Sequence, residues 1–171
     1  GDSAVLDATV DLEANTDYTL VAVGMADELE PLVLVDDNTP PAPGQARVRF
    51  VHASPDAPAV NVAVEGGQEL FSDVEFKGVG NYLPVDAGTY DLEVRVAGTN
   101  NVALQVPGLK LESGVVYTVF AMGLAGGQPT LTAVPSVDAQ ATPVLLPQTG
   151  ATNYNAYYAD ILASLGLLML G

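Results

Sequence analysis

Thr89-Tyr90-Asp91-Leu92-Glu93-Val94-Arg95-Val96 alternates apolar and polar side chains without a break. Tyr90, Leu92, Val94 and Val96 fall on one face, and Asp91, Glu93 and Arg95 on the other. A period of two is the signature of a strand with one face in a core and the other in water. The same period extends outward in both directions. Arg47 to Ala53, Val60 to Val64, Glu69 to Phe71, Val79 to Leu83, Val102 to Val106, Val115 to Met122 and Thr130 to Val134 are the further strand candidates. Between them stand Glu65-Gly66-Gly67, Asp86-Ala87-Gly88, Gly98-Thr99-Asn100-Asn101, Ser113-Gly114 and Gly126-Gly127, which supply residues that tolerate turn geometry.

Short strands at this spacing predict an all-β fold, an antiparallel β-sandwich of the immunoglobulin-like or transthyretin-like kind with Greek-key or hairpin connections. No window before residue 150 has the period of an amphipathic helix. With 171 residues, 49% of them apolar, the chain has enough material for one core and its flanking segments.

Five Lys and Arg against 21 Asp and Glu give a formal charge of −16, which repels phosphate, so a nucleic-acid partner is excluded and an anionic membrane face disfavoured. The absence of Cys removes disulfides, thiol nucleophiles and thiolate zinc sites, and a single His removes any His cluster. No cofactor or metal is expected.

The chain also echoes itself. Leu12, Glu13, Tyr18, Thr19, Ala22, Gly24 and Ala26 recur 99 residues later as Leu111, Glu112, Tyr117, Thr118, Ala121, Gly123 and Ala125, and Pro31 meets Pro129 after a one-residue slip. Residues 45–108 have no earlier counterpart. This divides the chain into a C-terminal fragment of a preceding repeat (1–36), a Pro-rich linker (37–45), a complete sandwich (46–138), a linker with a short motif (139–150) and an apolar tail (151–171). Three prolines should make the first linker a semi-rigid spacer, and Ser136 to Leu145 should be an exposed, mobile strip. Strands in 1–36 that lack their own partners are expected to be loosely held.

His52, Ser54 and Asp56 are the residue types of a hydrolase triad. Closely spaced on a strand end and spread by Pro55 and Pro58, they are expected to fix a turn instead of converging on one proton path. Asp36, Asp37 and Asn38, and likewise Asp11, Glu13 and Asp17, lack the alternate-position ligands and central glycine of a calcium loop; a weak inter-domain calcium site and a solvated acidic face are the two readings of these runs. Without Trp, no aromatic platform accompanies the many carboxylates. Tyr82, Tyr90 and Tyr117 are expected in the core and not against a ligand.

Leu146-Pro147-Gln148-Thr149-Gly150 is identical in pattern to the Leu-Pro-x-Thr-Gly sorting signal of cell-wall-anchored bacterial surface proteins. The resemblance implies that a sortase cleaves between Thr149 and Gly150 and passes the Thr149 carbonyl to an amine of a cell-wall precursor. Leu146 would fill an apolar pocket, Pro147 bend the peptide, Gln148 take the permissive position, and Gly150 fit a narrow cleft. The apolar run Ile161 to Gly171 would be about 16 Å long as a helix against roughly 30 Å of hydrocarbon, and no Lys or Arg follows Lys110, so truncation at both ends is expected and any membrane contact would be through this tail.

Arg47-Val48-Arg49-Phe50-Val51-His52-Ala53-Ser54-Pro55-Asp56-Ala57-Pro58-Ala59-Val60 resembles the bacterial domain of unknown function 4397, and Tyr82-Leu83-Pro84-Val85, Ala87-Gly88-Thr89-Tyr90 and Val115-Val116-Tyr117-Thr118-Val119 continue the likeness. The resemblance implies a secreted or surface-displayed sandwich, often in tandem, with His52, Ser54, Pro55, Asp56 and Pro58 as a structural signature and no functional residues to transfer. The expected function is a non-catalytic structural or adhesive module on a bacterial cell wall, outside the cell, with sortase and a cell-wall precursor as transient partners. The alternative is a domain that binds a surface glycan or protein through loops 65–68 and 98–101.

Overall fold

The alternating stretch is the longest part of a nine-residue strand in a sandwich of two four-stranded sheets. The structure is a computed structural model and describes residues 6–140, all within one compact unit. In chain order the strands are β1 (Asp17–Val23), β2 (Glu30–Asp36), β3 (Gln45–His52), β4 (Val60–Val64) and β5 (Glu69–Val74). They continue as β6 (Leu83–Asp86), β7 (Gly88–Val96), β8 (Val102–Leu111), β9 (Val115–Met122) and β10 (Thr132–Gln140). One sheet has the order β10-β9-β3-β6, the other β5-β4-β7-β8, and β1-β2 forms a separate hairpin. The described residues contain no helix. The short C-terminal helix expected of the apolar tail lies outside them.

Inward-facing Ala46, Val48 and Phe50 of β3 and Val115, Tyr117, Val119 and Ala121 of β9 meet Val60, Val62, Leu92 and Val94 of the opposite sheet in one apolar core. At about 25 cal/mol per Å² of apolar surface, these side chains supply the main force that closes the sandwich. Among the ten strands every pairing is antiparallel but one: β3 and β9 run parallel, Arg49 opposite Thr118. The chain crosses between sheets after β3, β5, β6 and β8, and the β8-to-β9 crossing returns it to the first sheet in that direction.

Three sequence expectations are corrected. Val79 to Leu83 is no regular strand: Val79 makes one isolated bridge to Val51, and β6 starts at Leu83. Gly80 passes so close to Phe71 that a Cβ would lie 2.4 Å from its ring, which leaves no room for a side chain pointing inward. Pro84 then falls inside β6, where an edge strand tolerates the missing amide. Of the strip expected over Ser136 to Leu145, residues 136–140 are the second half of β10 and residues 141–145 lie outside the described residues; Asp138 is an extra residue at a bulge between Val137 and Ala139. At the bulge the Asp138 side chain is 2% exposed and accepts from Thr118 Oγ1 on the hairpin-facing side of the sheet.

The third correction concerns residues 17–36. The β1-β2 hairpin is not loosely held; it lies on the outer face of the β10-β9-β3-β6 sheet, where Leu34, Val51 and Phe120 form a second apolar cluster with Val21, Leu32 and Met122 around it. Strands β3 and β9 are thereby covered on both faces. The linker is fastened too: Asp37 pairs with Arg47, and the Ser113 hydroxyl accepts from the Gly44 amide at 3.0 Å.

Between hairpin and sandwich lies Arg49, its side chain 3% exposed. Its guanidinium donates to Thr118 Oγ1 at 2.7 Å, to the Val35 carbonyl at 2.9 Å and to the Asp36 carboxylate. Asp138 stands 3.9 Å away. Lys77 to Glu30 also links hairpin and sandwich, but both groups are exposed and a pair of that kind contributes at most about 1 kcal/mol. Arg49→Met should therefore destabilise the chain by about 3–5 kcal/mol, because it strands two buried carboxylates. Urea denaturation measures the loss, and hydrogen exchange should show β1 and β2 amides opening before those of β3 and β9.

Candidate functional site

The sequence-predicted cluster begins where β3 ends. His52 is the last residue of β3, 1% exposed, and Pro55 and Pro58 turn the chain toward β4. The His52 ring donates from Nε2 to the Pro58 carbonyl at 3.0 Å and accepts the Ser54 amide at Nδ1 at 3.3 Å. Those two bonds require one protonated and one bare ring nitrogen, so the tautomer is set by the backbone around it. Ser54 Oγ donates to Asp56 at 3.2 Å, not to the imidazole. The order of a catalytic triad is absent: the hydroxyl has no base, and the imidazole has no carboxylate.

Asp56 instead clamps a distant loop. Its two oxygens accept the Ala125 amide at 2.7 Å and the Gly126 amide at 3.0 Å. These amide bonds, with the Ser54 hydroxyl adding to them, hold its carboxyl below the usual range. The turn that holds His52, Ser54, Pro55, Asp56 and Pro58 thus joins the β3-β4 crossing to the loop between β9 and β10.

A second polar cluster was not legible in the sequence. Thr118, Asp138 and Tyr82 surround the Arg49 guanidinium: Thr118 Oγ1 and Tyr82 Oη each donate to Asp138 at 2.6 Å, and the Tyr82 ring lies 4.6 Å from the Arg49 carbon. Tyr82 is therefore not a core ring as expected but a cover over a buried cation. Burial, then the bond to Asp138, pushes its phenol well above the ordinary 10.0. Tyr117 is in the core, and its hydroxyl accepts the Glu112 amide at 3.1 Å; Tyr90 packs against the core and donates to the Asp86 carbonyl at 2.6 Å. The one signal in the sequence was an arginine between valine and phenylalanine on a strand.

All five Lys and Arg of the chain have a carboxylate partner within the fold. In the acidic runs with a calcium reading, Asp36 holds Arg49, Asp37 holds Arg47, and Asp17 accepts from Asn38 at 2.7 Å. No group of three metal-ligating side chains occurs among the described residues. Arg47 holds the Asp37 carboxyl far below its usual range.

Inside the core a cavity of about 20 Å³ is lined by Val48, Phe71, Leu92, Val94 and Val119, apolar groups that give a water nothing to bond. The two loops proposed for recognition do not form one site. Glu65 bonds to Asp91 near the start of β7, whereas Ala97, next to Gly98, bonds to Ala59 beyond its end, so the loops occupy opposite ends of the sheet. An open groove of about 480 Å³ lies elsewhere, between β5 and the segment leading to β6, with Ser72, Asp73, Glu75, Val79 and Asn81 along it. Leu146, Pro147, Gln148, Thr149 and Gly150 lie outside the described residues. Among the described residues no helix is long and apolar enough to cross a membrane.

These features define an all-β sandwich domain whose most prominent polar side chains are spent on joining its own elements. The chain belongs to the family described as domain of unknown function DUF4397, which it matches over residues 1–63 and again over 55–145. No curated protein matches it.

Because the unfolded chain's phenol ionises near 10.0 and that of folded Tyr82 higher, the contribution of Tyr82 is complete below that pH and is lost above it. Tyr82→Phe should cost about 1 kcal/mol at neutral pH through the lost bond to Asp138. Urea denaturation should show the gap between wild type and variant constant up to about pH 10 and narrowing as the pH is raised further.

Proposed function

We propose that this chain is a non-catalytic structural or adhesive module of a bacterial cell surface, fixed to the wall through Thr149. The observation that carries the non-catalytic half is the bonding at the signature turn: Ser54 Oγ is given to Asp56, and both Asp56 oxygens to backbone amides. A site that spends its hydroxyl, imidazole and carboxylate on fixing loops has none left for a substrate. The −16 charge suits display in salty surroundings, where screening limits self-repulsion.

The anchoring half rests on Leu146-Pro147-Gln148-Thr149-Gly150, which follows the last described strand. In the proposed step a sortase thiolate attacks the Thr149 carbonyl, the bond to Gly150 breaks and the Gly150 amine leaves with a proton. An amine of a cell-wall precursor then displaces the thiol and forms a new amide. The chain is the substrate throughout, and its location is the outer surface of the wall.

A second reading, recognition of a surface glycan or protein, is favoured by the groove along Ser72, Asp73, Glu75 and Asn81. No aromatic ring is among its exposed residues, since Phe71 points into the core. Carbohydrate platforms generally use such a ring.

Incubation with a class A sortase and triglycine should yield a product that ends in Thr149 joined to the added glycines, read by mass spectrometry. An intact chain, under conditions that process a control peptide, overturns the anchoring. Replacement of Thr149 by Ala should abolish the product and leave the thermal transition of the sandwich unchanged.

A further inference from the structure

The β1-β2 hairpin repeats β9-β10 in detail. Tyr18 and Tyr117 each accept the amide of the residue five positions earlier, both at 3.1 Å. Gly24 and Gly123 end their strands at φ 111° and 91°, each with a backbone carbonyl 2.4 Å from where a Cβ would stand. Thr19 donates to Asp36 at 2.7 Å as Thr118 donates to Asp138 at 2.6 Å. Strand register makes Pro31 the counterpart of Ala133, since they pair with Ala22 and Ala121, so the proline match of the sequence echo does not hold.

The two faces of the hairpin differ in what they meet. Thr19, Val21, Leu34 and Asp36 face the sandwich, as Thr118 and Phe120 of β9 face the hairpin; the contact is back to back between equivalent surfaces. The opposite face of the hairpin carries the positions that build the core in the complete unit. Leu12 is 53% exposed where Leu111 is 4%, and Leu20 is 51% exposed where Val119 is 5%. Tyr18 lies on that same face, and Tyr117 is buried. The outer edge of β1, whose counterpart in β9 takes β3 in parallel, has no partner strand among the described residues.

Charge points to the occupant. The interface buries two carboxylates, Asp36 and Asp138, with side chains 7% and 2% exposed, against the single Arg49 guanidinium. Arg49 sits opposite Thr118 in register and reaches across to Asp36. An arginine at the same position of a second unit would sit opposite Thr19 and reach Asp138, making the exchange reciprocal and the charges equal.

We propose that the hairpin's exposed face and the free edge of β1 receive the counterparts of β3 to β8 from a second unit of this family on the same polypeptide, so that neighbouring sandwiches pack back to back through a reciprocal Arg-Asp exchange. This goes beyond the anchoring reading and does not depend on it. Contact of this kind makes a rigid joint between units, in contrast to beads on a flexible tether.

The test duplicates residues 37–112 directly ahead of Ala14, which keeps the 99-residue register of the echo. Leu20→Cys, introduced into the original chain and into the extended one, reports the face through its rate of alkylation. Extension should slow alkylation at least about tenfold, and Arg49→Met in the added copy should return it toward the starting rate. An unchanged rate in the extended chain, whatever the state of the added strands, overturns the proposal. So does a thiol already protected in the original chain because two copies associate, which sedimentation would show. The sortase reaction at Thr149 reads the other proposal separately.

Discussion

A guanidinium withdrawn from water between two layers of sheet must find acceptors for its donors, and Arg49 finds three of them on two strands. Thr118 comes from the neighbouring strand of its own sheet, and the Val35 carbonyl and Asp36 from the hairpin. Tyr82 closes the remaining side and also holds Asp138. A buried ion pair is weak evidence for net stability, because removing two charges from water costs about what their attraction returns. Its value here is registry. Apolar side chains such as Leu34 on Phe120 tolerate small slides, whereas a fork of directed bonds admits one position of the hairpin on the sheet.

That docking changes what β3 and β9 experience. Covered by the opposite sheet on one face and by the hairpin on the other, both are buried along nearly their whole length. The sequence of β9 is correspondingly almost continuous in apolar residues, whereas β3 carries Arg49 and His52 with their partners supplied inside the protein. Strand β7, with one face in water, keeps its alternation. The same pressure explains the signature turn. His52 and Ser54 are buried at and just past the end of a doubly covered strand, where polar groups must be bonded within the protein; His52 donates to the Pro58 carbonyl and Ser54 to Asp56, an exposed carboxylate that accepts the Ala125 and Gly126 amides.

The surface left outside is acidic because every basic side chain is engaged inward or sideways with a carboxylate. A tandem array of such units repels its neighbours and remains extended, provided that adjoining units of one chain are held by local contacts strong enough to oppose the charge. The back-to-back interface, apolar at Val51, Phe120 and Leu34 and polar at Arg49, has that composition.

Periodicity in the sequence was sufficient for the class of fold and for most strands: Val60–Val64 and Val115–Met122 form as expected, and the turn around Pro55 and Pro58 was legible because proline geometry is local. The internal echo likewise announced the equivalence of β1 with β9. Only the tertiary structure decided that β8 continues through Pro107 and Gly108 by a bulge, that the Asp138 side chain is buried, and that Tyr82 covers a cation instead of filling the core. Local preference fixes the conformation of a few adjacent residues. The partners of Arg49, on β2, β9 and β10, are brought together by the stacking of layers, and separations of 13, 69 and 89 residues leave no pattern in a single sequence.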